Sequence, residues 1–173
     1  GGLSLRHDLD KPVIAAVNGV AMGGGLEIAL ACDLIVAARN AVFALPEPLV
    51  GHVAVPGALH LLARQIPLKQ AMGMILTGRR VDAEEGARLG FVNEVVPEGQ
   101  ALAGARRWAE AILACSPLAV RGSKQVVREG ADHTYREATG RRYAAVAAMQ
   151  ASADAQEGPR AFAEKRAPRW QGR

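Results

Sequence analysis

Two carboxylates and a run of glycines carry the chemistry this sequence can perform. Gly23-Gly24-Gly25 stands directly before Leu26-Glu27 and reads as a glycine turn feeding a short helix. Glycine lets backbone come close to a ligand. The first turn of a helix offers unpaired N–H groups and a positive dipole end. Together they suit a developing negative charge, as an oxyanion hole does. Spacing alone equally allows tight packing of a helix on a strand. The pattern is neither GxGxxG followed by an acidic residue nor GxxxxGK[ST], which disfavours nucleotide phosphate.

Glu27 lies in the first turn of the very apolar stretch Leu26 to Ala31. It could simply complement the helix dipole. Alternatively, burial there would raise its pKa and suit it to proton transfer. Glu47 is pinned between Pro46 and Pro48, which restrict where its side chain points. Its bland reading is a solvated turn residue. Two carboxylates held at one substrate could divide acid and base work.

Phe162 and Lys165 are three apart and would share one face of a helix. They read as an ordinary solvated helix, or as an aromatic and a cation gripping the ring and phosphates of a nucleotide-like ligand. Other candidates are weaker. His7 and His133 sit in polar surroundings, and His52 and His60 lack HExxH spacing. Cys32 and Cys115 have no basic neighbour in sequence and no CxxC spacing. No serine lies in GxSxG. Met72 and Met74 read as core filler.

The elements that must position these groups follow from pattern. Val13 to Val17 is an apolar, β-branched run closed by Asn18-Gly19, predicting a buried strand. Leu34 to Ala38 predicts a second strand and Ala41 to Leu45 a third extended piece. From Pro56 the pattern turns helical, over 58–66, 68–76 and 83–89, with a short strand at 91–96. Asp82 is the expected N-cap of the helix at 83–89, with Glu85 placed to complete a capping box and Gly90 ending it. Long helices are expected at about 100–114, 117–130 and 132–154, with a last one starting at Glu157-Gly158-Pro159. The order is strand-helix-strand first and helical after, so the class is α/β. A glycine turn between strand and helix is where such proteins place ligands.

Composition excludes several classes. The chain has 173 residues, about one domain. Half are hydrophobic but only 4% aromatic, so the core must come from close packing of small side chains. That apolar fraction is too high for intrinsic disorder. No run approaches the ~18 apolar residues of a membrane helix. Two cysteines make no disulfide framework and fit a reducing compartment. Without an export signal, a cytoplasmic location is expected. Lys plus Arg is 21 against 17 for Asp plus Glu, a net +4 that permits an anionic small ligand without arguing for nucleic acid.

The combination of stretches resembles the crotonase superfamily, the enoyl-CoA hydratase/isomerase family. It is carried by Lys11-Pro12-Val13-Ile14-Ala15-Ala16-Val17-Asn18-Gly19, Gly23-Gly24-Gly25-Leu26-Glu27, Ala31-Cys32-Asp33 and Phe43-Ala44-Leu45-Pro46-Glu47. Leu76-Thr77-Gly78-Arg79, Gly90 to Val96 and Glu157-Gly158-Pro159-Arg160-Ala161-Phe162 continue it to the end. The last part is similar to bacterial hydratases and carnitinyl-CoA dehydratases.

The resemblance implies a crotonase-like ββα spiral over 1–98 and a helical region over 99–173 that trimerises and covers CoA. It implies an acyl-CoA thioester substrate, a homotrimer or hexamer, and no cofactor, metal or membrane. Gly24 N–H would hold the thioester oxygen, Glu27 would activate water for C3, and Glu47 would deliver a proton to C2. Phe162 and Lys165 would contact CoA. The expected reaction is reversible hydration of a 2-enoyl-CoA. The alternatives are dehydration of carnitinyl-CoA or another 3-hydroxyacyl-CoA, and a non-catalytic scaffold or RNA-binding member. Two departures stand out. Family members carry about another third of a chain before Lys11, including the second oxyanion donor, so the isolated chain is expected to show little hydratase activity. Ala54 and Val55 replace a proline and a water-holding glycine, and Val55 is expected to narrow the pocket.

Overall fold

The computed structural model describes residues 2–55 and 57–173. Pro56, where the sequence turns helical, lies outside them. Two three-stranded sheets form among the described residues. In the first, β1 (Ile14–Val17) pairs in parallel with β3 (Leu34–Ala38), with Ile14 opposite Leu34 and Val17 opposite Ala37. β3 pairs in parallel with β6 (Glu94–Val96). In the second sheet, β2 (Val20–Met22) runs parallel to β4 (Val42–Ala44), and β4 runs antiparallel to β5 (Val81–Asp82). Parallel partners need a crossover, and α1 (Gly24–Ala31) is built into it. β2 and β5 were not expected from sequence. Each is too short to show an alternation of its own.

The sequence-expected helices follow: α2 (Ala58–Gln65), α3 (Leu68–Thr77), α4 (Ala83–Leu89) and α5 (Ala101–Leu113). Asp82 caps α4, its Oδ1 accepting the Glu85 N–H at 2.7 Å, and Gly90 ends it at φ +99°. The Glu85 side chain does not close the capping box. It accepts from Arg79 at 2.7 Å, an ion pair that outcompetes the bond back to the cap.

Small residues let these elements approach closely, as the composition requires. A Cβ on Gly104 of α5 would lie 2.8 Å from Val36 Cγ1 of β3. The core gathers Leu26, Leu30, Phe43, Leu62, Met74 and Val81. Phe43 meets Phe91 edge-on, centroids 5.3 Å apart, an arrangement favoured by the ring quadrupoles.

The chain divides into two compact units, Gly1–His7 with Val13–Ala109, and Asp8–Pro12 with Glu110–Arg173. The division falls inside α5. The second unit contains α6 (Pro117–Gly130), α7 (Tyr135–Gly140), α8 (Ala144–Gln150) and α9 (Ala153–Ala163). The single helix expected at 132–154 is therefore broken. Thr134 and Glu137 form a capping box that starts α7 late, and Arg141 is extended. The Tyr143 hydroxyl donates to Ala138 O at 3.0 Å and locks the bend. Ser152, not Glu157, starts α9, and Pro159 sits inside that helix. No helix among the described residues is long and apolar enough to cross a membrane.

Candidate active site

Gly23 is the node of the site. Its backbone lies at φ +54°, ψ −123°, a conformation that glycine alone adopts at little cost. Its N–H donates to Ala44 O at 3.0 Å, and its carbonyl accepts the Glu27 N–H at 3.0 Å. The start of α1 is thereby tied to the end of β4. Three residues past Ala44, Glu47 opens a 3₁₀ turn, Glu47–Val50, ended by Gly51 at φ +75°. The turn is closed by His52 N–H donating to Glu47 O at 2.9 Å.

Glu47 packs back on Gly23. A Cβ at residue 23 would lie 2.6 Å from Glu47 Oε1. The other oxygen, Oε2, is buried and has no hydrogen-bond partner among the described residues. A buried acceptor left without a partner costs about 1–3 kcal/mol, and Glu47 is the residue among those described that carries one in its side chain. Glu47 is not the solvated turn residue that its prolines alone would allow.

Glu27 is only 5% exposed. Both its oxygens are held. Ser4 Oγ donates to Oε1 at 2.6 Å, and Gly57 N–H donates to Oε2 at 3.2 Å. The expectation of a raised pKa is overturned. The Ser4 hydroxyl, then the Gly57 and Ala58 N–H groups, hold Glu27 below the usual carboxylate range, outweighing the upward push of burial. Neither Ser4 nor Gly57 stood out in sequence. Ser4 lies in a polar start 23 residues from Glu27, and spacing carries no sign of that contact.

Gly24 occupies the first helical position, where no intrahelical acceptor exists for its N–H. It is exposed, and a Cβ there would meet nothing within 4 Å. Gly24, Glu27 and Glu47 are thus all joined through Gly23. Beside the Glu47 turn lies a cavity of about 260 Å³, walled by Leu45, Pro48, His52, Ala54, Leu59 and Ile75 among others. Val55 does not narrow it. Its residue is 71% exposed, and its N–H is spent on Val53 O at 2.8 Å. Gly57, two residues on, supplies the inward N–H instead.

Phe162 and Lys165 belong to the second unit. Phe162 is 87% exposed near the end of α9. Lys165 is exposed too, but it lies beyond the helix at φ +54°, so the shared helical face expected for the pair does not form. Glu157 accepts from Arg166 at 2.6 and 3.0 Å and from Arg169 N–H at 2.8 Å, which fixes the chain on the far side of Lys165. Those partners, Arg166 first, lower the Glu157 carboxyl to about 2. Among the described residues no group of three or more His, Cys, Asp or Glu could hold a metal ion.

Comparison with known proteins matches residues 2–173 to the model of a family described as enoyl-CoA hydratase/isomerase. A carnitinyl-CoA dehydratase of Salmonella typhi is 46% identical over 178 residues, covering 99% of this chain and 67% of that protein. The crystal structure of an enoyl-CoA hydratase from Mycobacterium tuberculosis H37Rv is 42% identical, with a TM-score of 0.92 over 96% of this chain and 66% of that one. That of an enoyl-CoA hydratase from Bacillus anthracis is 36% identical, with a TM-score of 0.91 over 99% and 66%. The chain therefore spans about two thirds of the length of these relatives.

Proposed function

The chain belongs to the enoyl-CoA hydratase/isomerase family, and from that premise we propose that it acts as a hydratase-type lyase, adding water reversibly to a 2-enoyl-CoA thioester. One observation carries the reading: two glutamates with opposite surroundings are joined through Gly23. Glu27 accepts two donors and stays a carboxylate at neutral pH, fitted to take a proton from water as its oxygen bonds to C3. Glu47 keeps a buried oxygen without a hydrogen-bond partner among the described residues, fitted to engage the proton that goes to C2. Gly24 is exposed at the first position of α1, where its N–H has no intrahelical acceptor, and that N–H would receive the negative charge that gathers on the thioester oxygen. Glu47 enters the step protonated and leaves it ionised while Glu27 leaves it protonated; a proton returning from Glu27 to Glu47 through solvent resets the pair, so the net change is hydroxyl to C3 and hydrogen to C2. Run backwards, the same groups dehydrate a 3-hydroxyacyl-CoA.

Phe162 and Lys165 are assigned to the CoA moiety, the cation to its phosphates. Residues 1–98 are taken as the spiral core and 99–173 as the covering region, working as a trimer or hexamer in the cytoplasm. The cavity beside the Glu47 turn fits the hydrocarbon part of the acyl group, since leucine, isoleucine, proline and alanine wall it. Carnitinyl-CoA is the second reading, supported by the similarity to carnitinyl-CoA dehydratases. Its quaternary ammonium group calls for an aromatic face or a carboxylate, whereas the described walls of this cavity are aliphatic apart from His52.

The test is Glu27→Gln and Glu47→Gln in the full-length protein, following loss of the crotonyl-CoA enone absorbance. Each should lower turnover by about 10²–10⁴-fold, the usual worth of a positioned acid or base, with the circular dichroism spectrum unchanged. Wild-type rates in both variants remove the mechanism. A crotonobetainyl-CoA arm decides between the readings.

A further inference from the structure

Resting on the hydratase reading, we propose that Ser4 is a positioning residue for the water-activating glutamate, its hydroxyl and the Gly57 N–H clamping the Glu27 carboxylate in one orientation. Three distant segments meet there. Ser4 lies in the 3₁₀ turn Gly2–Leu5, Glu27 in the first turn of α1, and Gly57 is the N-cap of α2. The approach is close. A Cβ on Gly57 would stand 3.4 Å from Ser4 Cβ and 3.6 Å from Ser4 O.

The chemistry of the clamp is specific. A glutamate has three rotatable bonds, and the apolar face of α1 offers nothing polar to fix the last of them. Ser4 Oγ at 2.6 Å is a short, charge-assisted donor of the stronger kind. Each carboxylate oxygen has about two acceptor sites. The Ser4 hydroxyl on one oxygen and the Gly57 amide on the other therefore fix the group, and the remaining acceptor capacity can take the incoming water. Of the contacts that keep Glu27 ionised, the Ser4 hydroxyl is the largest. No charged side chain among the described residues does this work; the amino-terminal charge contributes least of the lowering causes. α1 carries no other charged residue, and the Gly2–Leu5 turn and β2 carry none. α2 carries His60 and Arg64, and Glu47 lies against Gly23. The Glu27 carboxylate accepts from the Ser4 hydroxyl and the Gly57 amide.

The deciding experiment is a carbon-detected NMR titration of the Glu27 carboxyl, assigned by its absence in Glu27→Gln. In Ser4→Ala its midpoint should move up, and Ser4→Thr, which keeps a hydroxyl, should return it. An identical midpoint in wild type and Ser4→Ala overturns the proposal, whatever the activity. In the full-length protein, Ser4→Ala should lower kcat for crotonyl-CoA about tenfold, the worth of one hydrogen bond to a charged group, leave KM nearly unchanged, and carry the acid limb of the rate upward with the NMR midpoint. Wild-type hydration that Glu27→Gln abolishes and Ser4→Ala leaves untouched, acid limb included, sinks the role of Ser4 alone. Absence of hydration in wild type sinks the hydratase reading, while the titration still judges the clamp.

Discussion

Replacing Gly23 by alanine should separate the cost of a strained backbone from the cost of a misplaced carboxylate. At φ +54°, ψ −123° an L-residue is strained by about 1–3 kcal/mol. The new methyl would also lie 2.6 Å from Glu47 Oε1, where ordinary contact begins at 3.4 Å. Oε1 must therefore retreat by about 3.4 − 2.6 = 0.8 Å. It is the far end of a flexible side chain, so the retreat adds little to the stability cost. It does displace the group assigned to C2, and a misplacement of about 1 Å can cost about 10² in rate. Gly23→Ala should thus lower Tm by about 2–12 °C, at about 2–4 °C per kcal/mol for a chain of this size, and lower crotonyl-CoA turnover about 100-fold. Gly90→Ala is the matched control. Its φ is +99°, but its Cβ would meet nothing within 4 Å, so it should lose stability and keep turnover. Differential scanning calorimetry and the enone assay read both. Full turnover in Gly23→Ala would refute the placement of Glu47.

Two further outcomes test the second unit. Glu157 is lowered to about 2 when folded, against 4.5 as its ordinary value. Its contribution is complete above about pH 4.5 and is lost as pH falls through about 2, so Glu157→Gln should flatten the acid leg of unfolding in that window and leave an unchanged leg only if the Arg166 pairing is absent. Lys165→Gly should recover part of the about 1–2 kcal/mol that a left-handed L-residue costs while weakening CoA binding by titration calorimetry; a lower Tm in this variant would contradict the strain.

What could be read from sequence is what local chemistry decides. Asp82 stands three residues before Glu85, and it caps α4 because cap geometry needs only that spacing. Gly23 and Glu47 were visible because a glycine run and a proline-flanked acid are locally odd. The roles assigned to them came from a family resemblance, not from spacing. Contacts between distant segments stayed hidden. Burial of Glu27 was foreseeable from its apolar neighbours, but the sign of its pKa shift was not. That sign is set by Ser4 and Gly57, which lie 23 and 30 residues away. The same limit explains Lys165. Three-residue spacing predicted a shared face, while Arg166, drawn to Glu157, helps hold the chain where it has left the helix.

On the proposed hydration, the asymmetry between the two glutamates explains why the site would need both a glycine and a clamp. A carboxylate that takes a proton must remain ionised in an apolar setting, and burial alone would oppose that. Donors on both oxygens of Glu27 solve the problem. A second carboxyl that hands a proton to carbon must keep an oxygen uncommitted to the protein, which costs stability when that oxygen is buried. Glu47 shows this condition, and it is held there by packing on bare backbone, not by hydrogen bonds to its buried oxygen. Gly23 makes the arrangement possible twice over. Its left-handed backbone turns the chain from β2 into α1, and its missing side chain leaves the space that Glu47 Oε1 occupies.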